Sequence, residues 1–400
     1  MSERSKRCVL IINCFEPLDG ARVGYEALAL ASAGYDLHIL SWERNQPEAI
    51  YHTSWERIPM TVLRYPAPIG SPSLPLFARQ LYKRLSNCLD SIQFYPAVVH
   101  SAHIMFMPFA LHLAWKRKMM VVYDCYETYA IGYAEHAHPI FRPLIRWPVE
   151  ILENLMAWRT AGILTICTAN DLLERRFRRF NSNVIPLLNV PPLFEDVGQM
   201  GVPARKSAPF RIVYAGGISI DKGLIQMLKS LRNLVEEGLN VELVLIGKPV
   251  GMDGGELQRL IDSSGVPQLV RIVQWLAYDQ LHALLRTCHA GLALYQPSGR
   301  FDYASSGQAR KLFTYMQAEI PIICSRAGAL GAVLQEERCG ILVDPGDISD
   351  ITDALRYLIV HPHEAYAMGR RGCEAIIARY NWNNESVRLL DFYQAICTAR

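Results

Sequence analysis

The sequence predicts an α/β protein with two doubly wound domains, each built on a mostly parallel sheet covered by helices. The chain has 400 residues, which is more than one hydrophobic core usually serves. Short apolar runs alternate with helical patterns along most of it. The alternation stops in a segment rich in proline and polar residues, 189–209, and then starts again. We therefore expect domains at residues 1–195 and 205–378, followed by a terminal helical segment at 379–400.

The predicted strands are continuous apolar runs, which is typical of parallel strands buried on both faces. In the first half they lie at residues 8–13, 37–41, 97–100, 119–123 and 162–168. In the second half they lie at residues 211–215, 241–247, 270–274, 290–294, 320–324 and 340–343. Helices are predicted between them, among others at residues 22–34, 223–238, 278–288 and 348–360. This order favours right-handed βαβ units.

Composition argues against several classes of protein. Half of the residues are hydrophobic and the formal net charge is +3, so the chain is expected to be globular and not to bind nucleic acid. The apolar run at the N-terminus is interpreted as a strand rather than an export signal, and no run is long enough to span a membrane. A cytoplasmic location is therefore expected. The ten cysteines form no Cys-x-x-Cys pair and the histidines show no metal-binding spacing, so we expect free thiols and no metal.

Two segments, residues 71–87 and 142–159, mix aromatic, aliphatic and basic residues on predicted helices. Trp147 and Trp158 lie in the second. Packing of the apolar face on a sheet is the favoured interpretation of both segments. The alternative is peripheral contact with the inner face of a membrane, or with an amphipathic acceptor.

A phosphate site is predicted at residues 211–231, RIVYAGGISIDKGLIQMLKSL. A buried strand leads into Gly216 and Gly217, and Lys222 stands just before a predicted helix. Glycines let a ligand approach the backbone, the helix N-terminus favours an anion, and the lysine adds a positive charge. The alternative is a glycine turn with a surface lysine. Because the segment is neither a Gly-x-Gly-x-x-Gly fingerprint nor a P-loop, hydride transfer and ATP hydrolysis are not favoured.

A second polar segment, residues 291–325, follows another strand. Its helix begins with Arg310 and Lys311 and continues through Thr314. Since ligands of doubly wound sheets bind at the carboxyl ends of strands, these cations suit a diphosphate. A solvated basic helix turn is the alternative.

These segments, in this order, resemble the group-1, glycogen-synthase-like retaining glycosyltransferases. The resemblance is carried in the second half by YAGGISIDKGL, KLFTYMQAEIPIICS, CGILVDPGD and RYNW. In the first half it is carried by DGARVGYEALALASAGYDLHIL, VVHSAH, VVYDCYETY and EILENLMAWRTAGILTICTANDLLERRF. It implies the GT-B fold, in which two Rossmann-like domains border an interdomain cleft. The second domain would bind a nucleotide-sugar, the first would bind the acceptor, and the last helix would cross back to the first domain.

The resemblance also implies roles for residues. Lys222, Arg310 and Glu127 are the implied catalytic residues. Gly20, Gly216, Gly217, Lys222, Arg310, Lys311 and Thr314 are the implied donor-binding residues. Asp124 lies in the same Asp-x-His-Glu-like segment as Glu127, and Arg22 lies beside Gly20 in a loop expected to face the donor or acceptor.

The chain departs from the family pattern at several of these positions. Gly217 stands where an arginine is common, and Arg300 or Arg310 could replace its charge. Ser306 and Thr314 stand at the family's Glu-x7-Glu pair, and Tyr126 stands at the histidine of Asp-x-His-Glu. Besides an active transferase, these departures allow a non-catalytic GT-B partner subunit or nucleotide-sugar-binding protein.

The resemblance implies transfer of a sugar with retention of its anomeric configuration, without a metal or other cofactor. A polysaccharide or glycolipid intermediate, a lipid-linked sugar or a small natural product would be the acceptor. Cations at the donor diphosphate would stabilise the charge that grows on it as the glycosidic bond breaks. A nucleotide-sugar 2-epimerase is a third hypothesis, but we identify no acid–base set for it.

Overall fold

The computed structural model describes residues 7–14, 18–44, 47–67, 74–92, 94–135, 137–167, 171–195, 197–198, 209–296, 310–326 and 330–398. Side chains are described throughout these ranges except at residues 74–76, 135 and 330. The chain divides into two compact units. Unit 1 comprises Met1–Ile166, Asp171–Leu187 and Glu385–Arg400, and unit 2 comprises Cys167–Asn170 and Leu188–Asn384.

Unit 1 contains an eight-stranded sheet in the order β3-β4-β2-β1-β5-β6-β7-β8. Its strands are β1 (Cys8–Cys14), β2 (Asp36–Glu43), β3 (Ala49–Trp55), β4 (Ile58–Arg64), β5 (Val98–Ser101), β6 (Met120–Cys125), β7 (Gly162–Ile166) and β8 (Val184–Leu187). Its helices are α1 (Arg22–Ser32), α2 (Leu74–Ser91), α3 (Met107–Arg117), α4 (Tyr129–Glu135), α5 (Arg142–Trp158) and α6 (Leu172–Phe177). All neighbouring strands are parallel except β3, which pairs antiparallel with β4.

Unit 2 contains a six-stranded, fully parallel sheet in the order β11-β10-β9-β12-β13-β14. Its strands are β9 (Phe210–Ala215), β10 (Val241–Ile246), β11 (Val270–Val273), β12 (Ala290–Ala293), β13 (Ile322–Ser325) and β14 (Gly340–Val343). Its helices are α7 (Leu224–Glu236), α8 (Gly254–Asp262), α9 (Tyr278–Leu285), α10 (Arg310–Gln317), α11 (Leu330–Glu337), α12 (Ile348–Val360) and α13 (Pro362–Ala378). The strand order reverses between β9 and β12, which is where doubly wound sheets bind ligands.

The last helix, α14 (Trp382–Thr398), belongs to unit 1 from Glu385 onward. Its Phe392 fills the space beside β7, because a Cβ placed on Gly162 would lie 2.5 Å from the Phe392 ring. Its Tyr393 is fully buried and packs edge-on against Tyr35, which precedes β2. These side chains anchor α14 on the sheet of unit 1.

The predicted α/β class is confirmed, and each predicted strand overlaps an observed one. Strands β3, β4 and β8 were not predicted from the sequence. The hairpin of β3 and β4 turns at Glu56 and Arg57, whose φ angles are 49° and 66°. Left-handed turns of this kind are usually marked by asparagine or glycine, so the usual hairpin signal is missing. In the described part of the chain, no helix is long and apolar enough to cross a membrane.

Candidate active site

The candidate site in unit 2 is the glycine turn that follows β9. Gly216 has a φ of 136°, a conformation that favours glycine, and its N–H donates to Ile246 O over 2.8 Å. A Cβ placed on Gly216 would lie 3.2 Å from Lys311 Nζ, and one placed on Gly217 would lie 3.2 Å from Lys222 Nζ. Two ammonium groups from separate sequence motifs therefore lie against one turn at the switch point of the sheet.

Tyrosine hydroxyls hold this turn in place. The Tyr214 hydroxyl donates to Gly217 O over 2.7 Å, within the turn itself. The N–H of Ala215 donates to the Tyr315 hydroxyl over 2.8 Å, and Tyr315 comes from α10. Tyr214 and Tyr315 are both about 1% exposed or less. Neither residue was predicted at the site, because a tyrosine in an apolar run gives no local sign of a ligand site.

Lys311 sits in an unusual environment for a cation. Its side chain is partly exposed as a whole, but Nζ lies 3.7 Å from the centroid of the Tyr214 ring and 5.1 Å from that of Tyr295. Among the described residues, no carboxylate pairs with it within 4.0 Å. Burial, and then the positive charge of Lys222, hold the pKa of Lys311 well below its usual range. An anion bound beside Lys311 would therefore stabilise the charged form of its side chain.

We expect Lys311→Met to stabilise the unliganded protein while abolishing donor binding. Because the pKa of Lys311 is lower in the folded than in the unfolded chain, its buried charge opposes folding at every pH below about 10.4. Methionine removes that cost and keeps a side chain that packs on aromatic rings. The melting temperature at pH 7 should rise by roughly 2–4 °C per kcal/mol recovered. Lys229→Met, at an exposed position on α7, is the control, and equal effects of the two variants would contradict this expectation.

Arg310 and Thr314, the other residues predicted on α10, contact protein groups. The Arg310 guanidinium lies 5.6 Å from the centroid of the Tyr278 ring, on α9. The Thr314 side chain is 4% exposed, and its hydroxyl donates to Arg310 O over 3.1 Å. Thr314 therefore uses its donor within its own helix. Arg300 and Ser306 lie outside the described residues.

The residues predicted in unit 1 are not all at its surface. Gly20 has a φ of 69° in the loop before α1, and Glu127 is exposed after β6. Arg22 was expected in a loop facing a ligand, but it is the first residue of α1 and is 7% exposed. Its guanidinium donates to Glu26 Oε1 at 2.9 Å, to Asp124 Oδ1 at 2.8 Å and to Leu187 O at 3.0 Å. Asp124, from the Asp-x-His-Glu-like segment, is fully buried in this network.

The network continues through His100. Its Nε2 lies 3.3 Å from Glu26 Oε2 and 3.9 Å from Asp124 Oδ2, and its Nδ1 lies 2.7 Å from the Tyr393 hydroxyl on α14. Burial raises the pKa of Asp124 to about 7, against the opposing charge of Arg22. Glu26, His100 and Asp124 are the residues here that could hold a metal ion. With one guanidinium and two carboxylates, however, one proton balances the charge, whereas a divalent ion would leave a buried positive charge.

Comparison with known proteins agrees with the geometry of unit 2. Residues 209–361 match the family model described as glycosyl transferases group 1. The MMP alpha-(1->4)-mannosyltransferase of Mycolicibacterium hassiacum is 26% identical over 263 residues, which are 63% of this chain and 59% of that protein. The chain thus spans little more than half the length of this curated relative.

Solved structures share the fold along nearly the whole chain. Sucrose-phosphate synthase from Thermosynechococcus elongatus superposes with a TM-score of 0.73 at 15% identity, over 98% of this chain and 100% of that one. HepE of Anabaena, in complex with UDP-glucose, superposes with a TM-score of 0.63 at 13% identity, over 97% and 99%. Residues 209–361 are therefore similar to the group 1 glycosyl transferases, and the chain has the GT-B fold.

Proposed function

We propose that this chain is a hexosyltransferase that moves a sugar from a nucleotide-sugar donor to an acceptor. The observation that carries the proposal is the pair of ammonium groups, Lys222 and Lys311, against the Gly216–Gly217 turn. A diphosphate is the part of the donor that such a turn fits, because its oxygens need both positive charge and close approach to backbone. The family match at residues 209–361 and the UDP-glucose complex of HepE support this assignment.

The same geometry supports a mechanism of electrostatic stabilisation. As the glycosidic bond breaks, negative charge grows on the leaving diphosphate, and fixed cations lower the energy of that state. Lys311 has a lowered pKa because burial and Lys222 disfavour its charge, so an arriving diphosphate favours its protonated form. We propose that these two lysines serve the leaving group, and that no metal or other cofactor is required.

We propose that the acceptor is a polysaccharide or glycolipid intermediate, a lipid-linked sugar or a small natural product. The mannosyltransferase name of the curated relative supports a hexose as the transferred group. We further propose that the protein works in the cytoplasm, in peripheral contact with the inner face of the membrane. Support for membrane contact comes from the large apolar side chains that α5 exposes.

Retention and metal independence are tested by one transfer reaction. We expect transfer from one of UDP-glucose, GDP-mannose or ADP-glucose in the presence of EDTA, with a rate within about twofold of the rate without it, because lysines rather than a metal hold the diphosphate. Proton NMR of the new glycosidic bond should show the anomeric configuration of the donor. An inverted product would refute retention, and donor binding without transfer across all acceptor classes would indicate a non-catalytic protein.

A further inference from the structure

Helix α5 of unit 1 buries a charged residue beside two apolar ones and leaves a row of large apolar side chains outside, unlike a typical surface helix. Its inward residue Glu153 is 1% exposed and accepts a hydrogen bond from the Tyr123 hydroxyl at 2.7 Å. Arg176 of α6 also pairs with Glu153, and Met156 and Ala157 complete the inner face. A surface helix normally buries its apolar stripe and exposes its charges. Here the buried ion pair fixes the helix, and the apolar stripe is left outside.

The outward stripe of α5 is a continuous row of large apolar side chains. The row consists of Leu144, Trp147, Ile151, Leu152, Leu155 and Trp158, each between 50% and 68% exposed. Its members lie three or four residues apart except for the adjacent Ile151 and Leu152, and Ile140 and Phe141 stand just before the helix, at 74% and 55% exposed. The row runs from Leu144 to Trp158, so at 1.5 Å per residue it is about 21 Å long. Soluble monomers rarely expose an apolar patch of this extent without a partner.

The other amphipathic segment behaves differently. In α2, the apolar residues Leu81, Leu85 and Leu89 are at most 2% exposed and pack in the core of unit 1. The packing interpretation is therefore correct for α2, whereas it fails for the row on α5.

Positive charge lies on the helices that pack against α5. Helices α3 and α6 both contact α5, and exposed cations lie at their ends: Lys116, Arg175 and Arg179. Arg159, just past α5, is also exposed, with its guanidinium 5.1 Å from the centroid of the Trp158 ring. The acidic residues of these helices are paired with arginines, Glu150 with Arg146 and Glu174 with Arg178. Helices α3, α5 and α6 with their flanking residues therefore carry more basic than acidic side chains.

We propose that the outward face of α5 docks unit 1 on an anionic lipid bilayer. A convex apolar row with tryptophans along it, set among cations, matches the interfacial region of a membrane, where indole rings and aliphatic side chains enter and lysines and arginines meet the headgroups. The buried Glu153–Arg176 pair keeps α5 attached to the protein, so it lies in the interface and does not span the bilayer. A second copy of the chain would need acidic groups to face these cations, which the row itself does not offer.

The test is co-sedimentation with vesicles of phosphatidylcholine alone and of phosphatidylcholine with phosphatidylglycerol, at low and high salt. The purified full chain should bind the anionic vesicles, and binding should weaken at ~1 M salt because the charges are screened. The triple variant Leu144→Gln, Ile151→Gln, Leu155→Gln should reduce the partition coefficient at least about tenfold. A matched triple on exposed helical positions elsewhere, Val360→Gln, Ile377→Gln, Val387→Gln, should bind like the wild type.

Two charge-reversing substitutions separate the contribution of positive charge to vesicle binding from that of the apolar row. Lys116→Glu with Arg159→Glu should weaken binding to anionic vesicles and leave the apolar row intact. Two results would overturn the proposal: wild-type protein that stays in the supernatant with anionic vesicles, or an α5 triple variant that binds as well as its matched control. If sedimentation velocity instead shows a wild-type dimer that the α5 triple converts to a monomer, with no vesicle binding, the row is a protein interface.

Discussion

Replacing Lys222 by alanine should lower turnover of the donor by about 10²–10³-fold, the effect seen when one fixed group is removed from a developing negative charge. Lys222 ends a short helix, Ile220–Lys222, and its Nζ lies against Gly217. Its loss removes one of two cations from the turn and leaves Lys311, whose own charge is disfavoured by burial. Because the Lys222 side chain is partly exposed, its removal creates no core cavity, and the melting temperature should not change.

The matched control is Lys229→Ala, which removes an exposed lysine from α7, the helix that follows the turn. Overall charge changes equally in both variants, but only Lys222 lies at the turn. Initial rates at saturating and limiting donor would separate an effect on binding from one on the chemical step. Equal rates for the two variants would mean that the diphosphate does not bind at this turn.

Gly247→Ala should strongly lower both the stability of the protein and its affinity for the donor. Gly247 follows β10 with a φ of 139°, and its N–H donates to Val273 O over 2.9 Å. A Cβ there would lie 2.0 Å from Gly216 O, so the methyl group must push the phosphate turn away. We expect a loss of at least ~3 kcal/mol of stability from strain and clash together. Donor affinity should fall with it, because the turn moves.

Gly238→Ala isolates the backbone part of this effect. Gly238 also has a positive φ, 79°, but a Cβ there would meet no atom within 4 Å. Its substitution should cost only about 1 kcal/mol and leave donor affinity unchanged. Thermal unfolding and nucleotide titration of both variants make the comparison. If Gly247→Ala were as stable and as active as Gly238→Ala, the close packing of β10 on the turn would be wrong.

The central strands of unit 2, β9, β10, β12 and β13, were predictable because they are largely buried and so appear as apolar runs. This signal is missing at the edge of the sheet of unit 1. There β3 is largely exposed, and its turn uses Glu56 and Arg57 in place of glycine or asparagine. The ends of elements also differ from the prediction: the helix predicted at residues 223–238 spans Leu224–Glu236.

The approach of Lys222 to Lys311 followed from topology, since both motifs stand at carboxyl ends of strands that meet at one switch point. Groups that meet only through the tertiary fold left no such pattern. Glu26, His100 and Tyr393 converge from α1, β5 and α14, and nothing in their local sequence marks them. The exposure of the row on α5 could not be predicted from the sequence either. An amphipathic pattern shows that a helix has two different faces, but it does not show which face is buried.

The decisive measurement is calorimetric titration of the wild-type chain and of Lys311→Met with UDP, GDP, ADP and dTDP, without added metal. We predict that one nucleotide binds the wild type and raises its melting temperature by mass action. Lys311→Met should not bind that nucleotide, and its melting temperature should not respond to it. Equal binding by both proteins, or binding of no nucleotide by the wild type, would contradict the assignment of the Gly216–Gly217 turn as the diphosphate site.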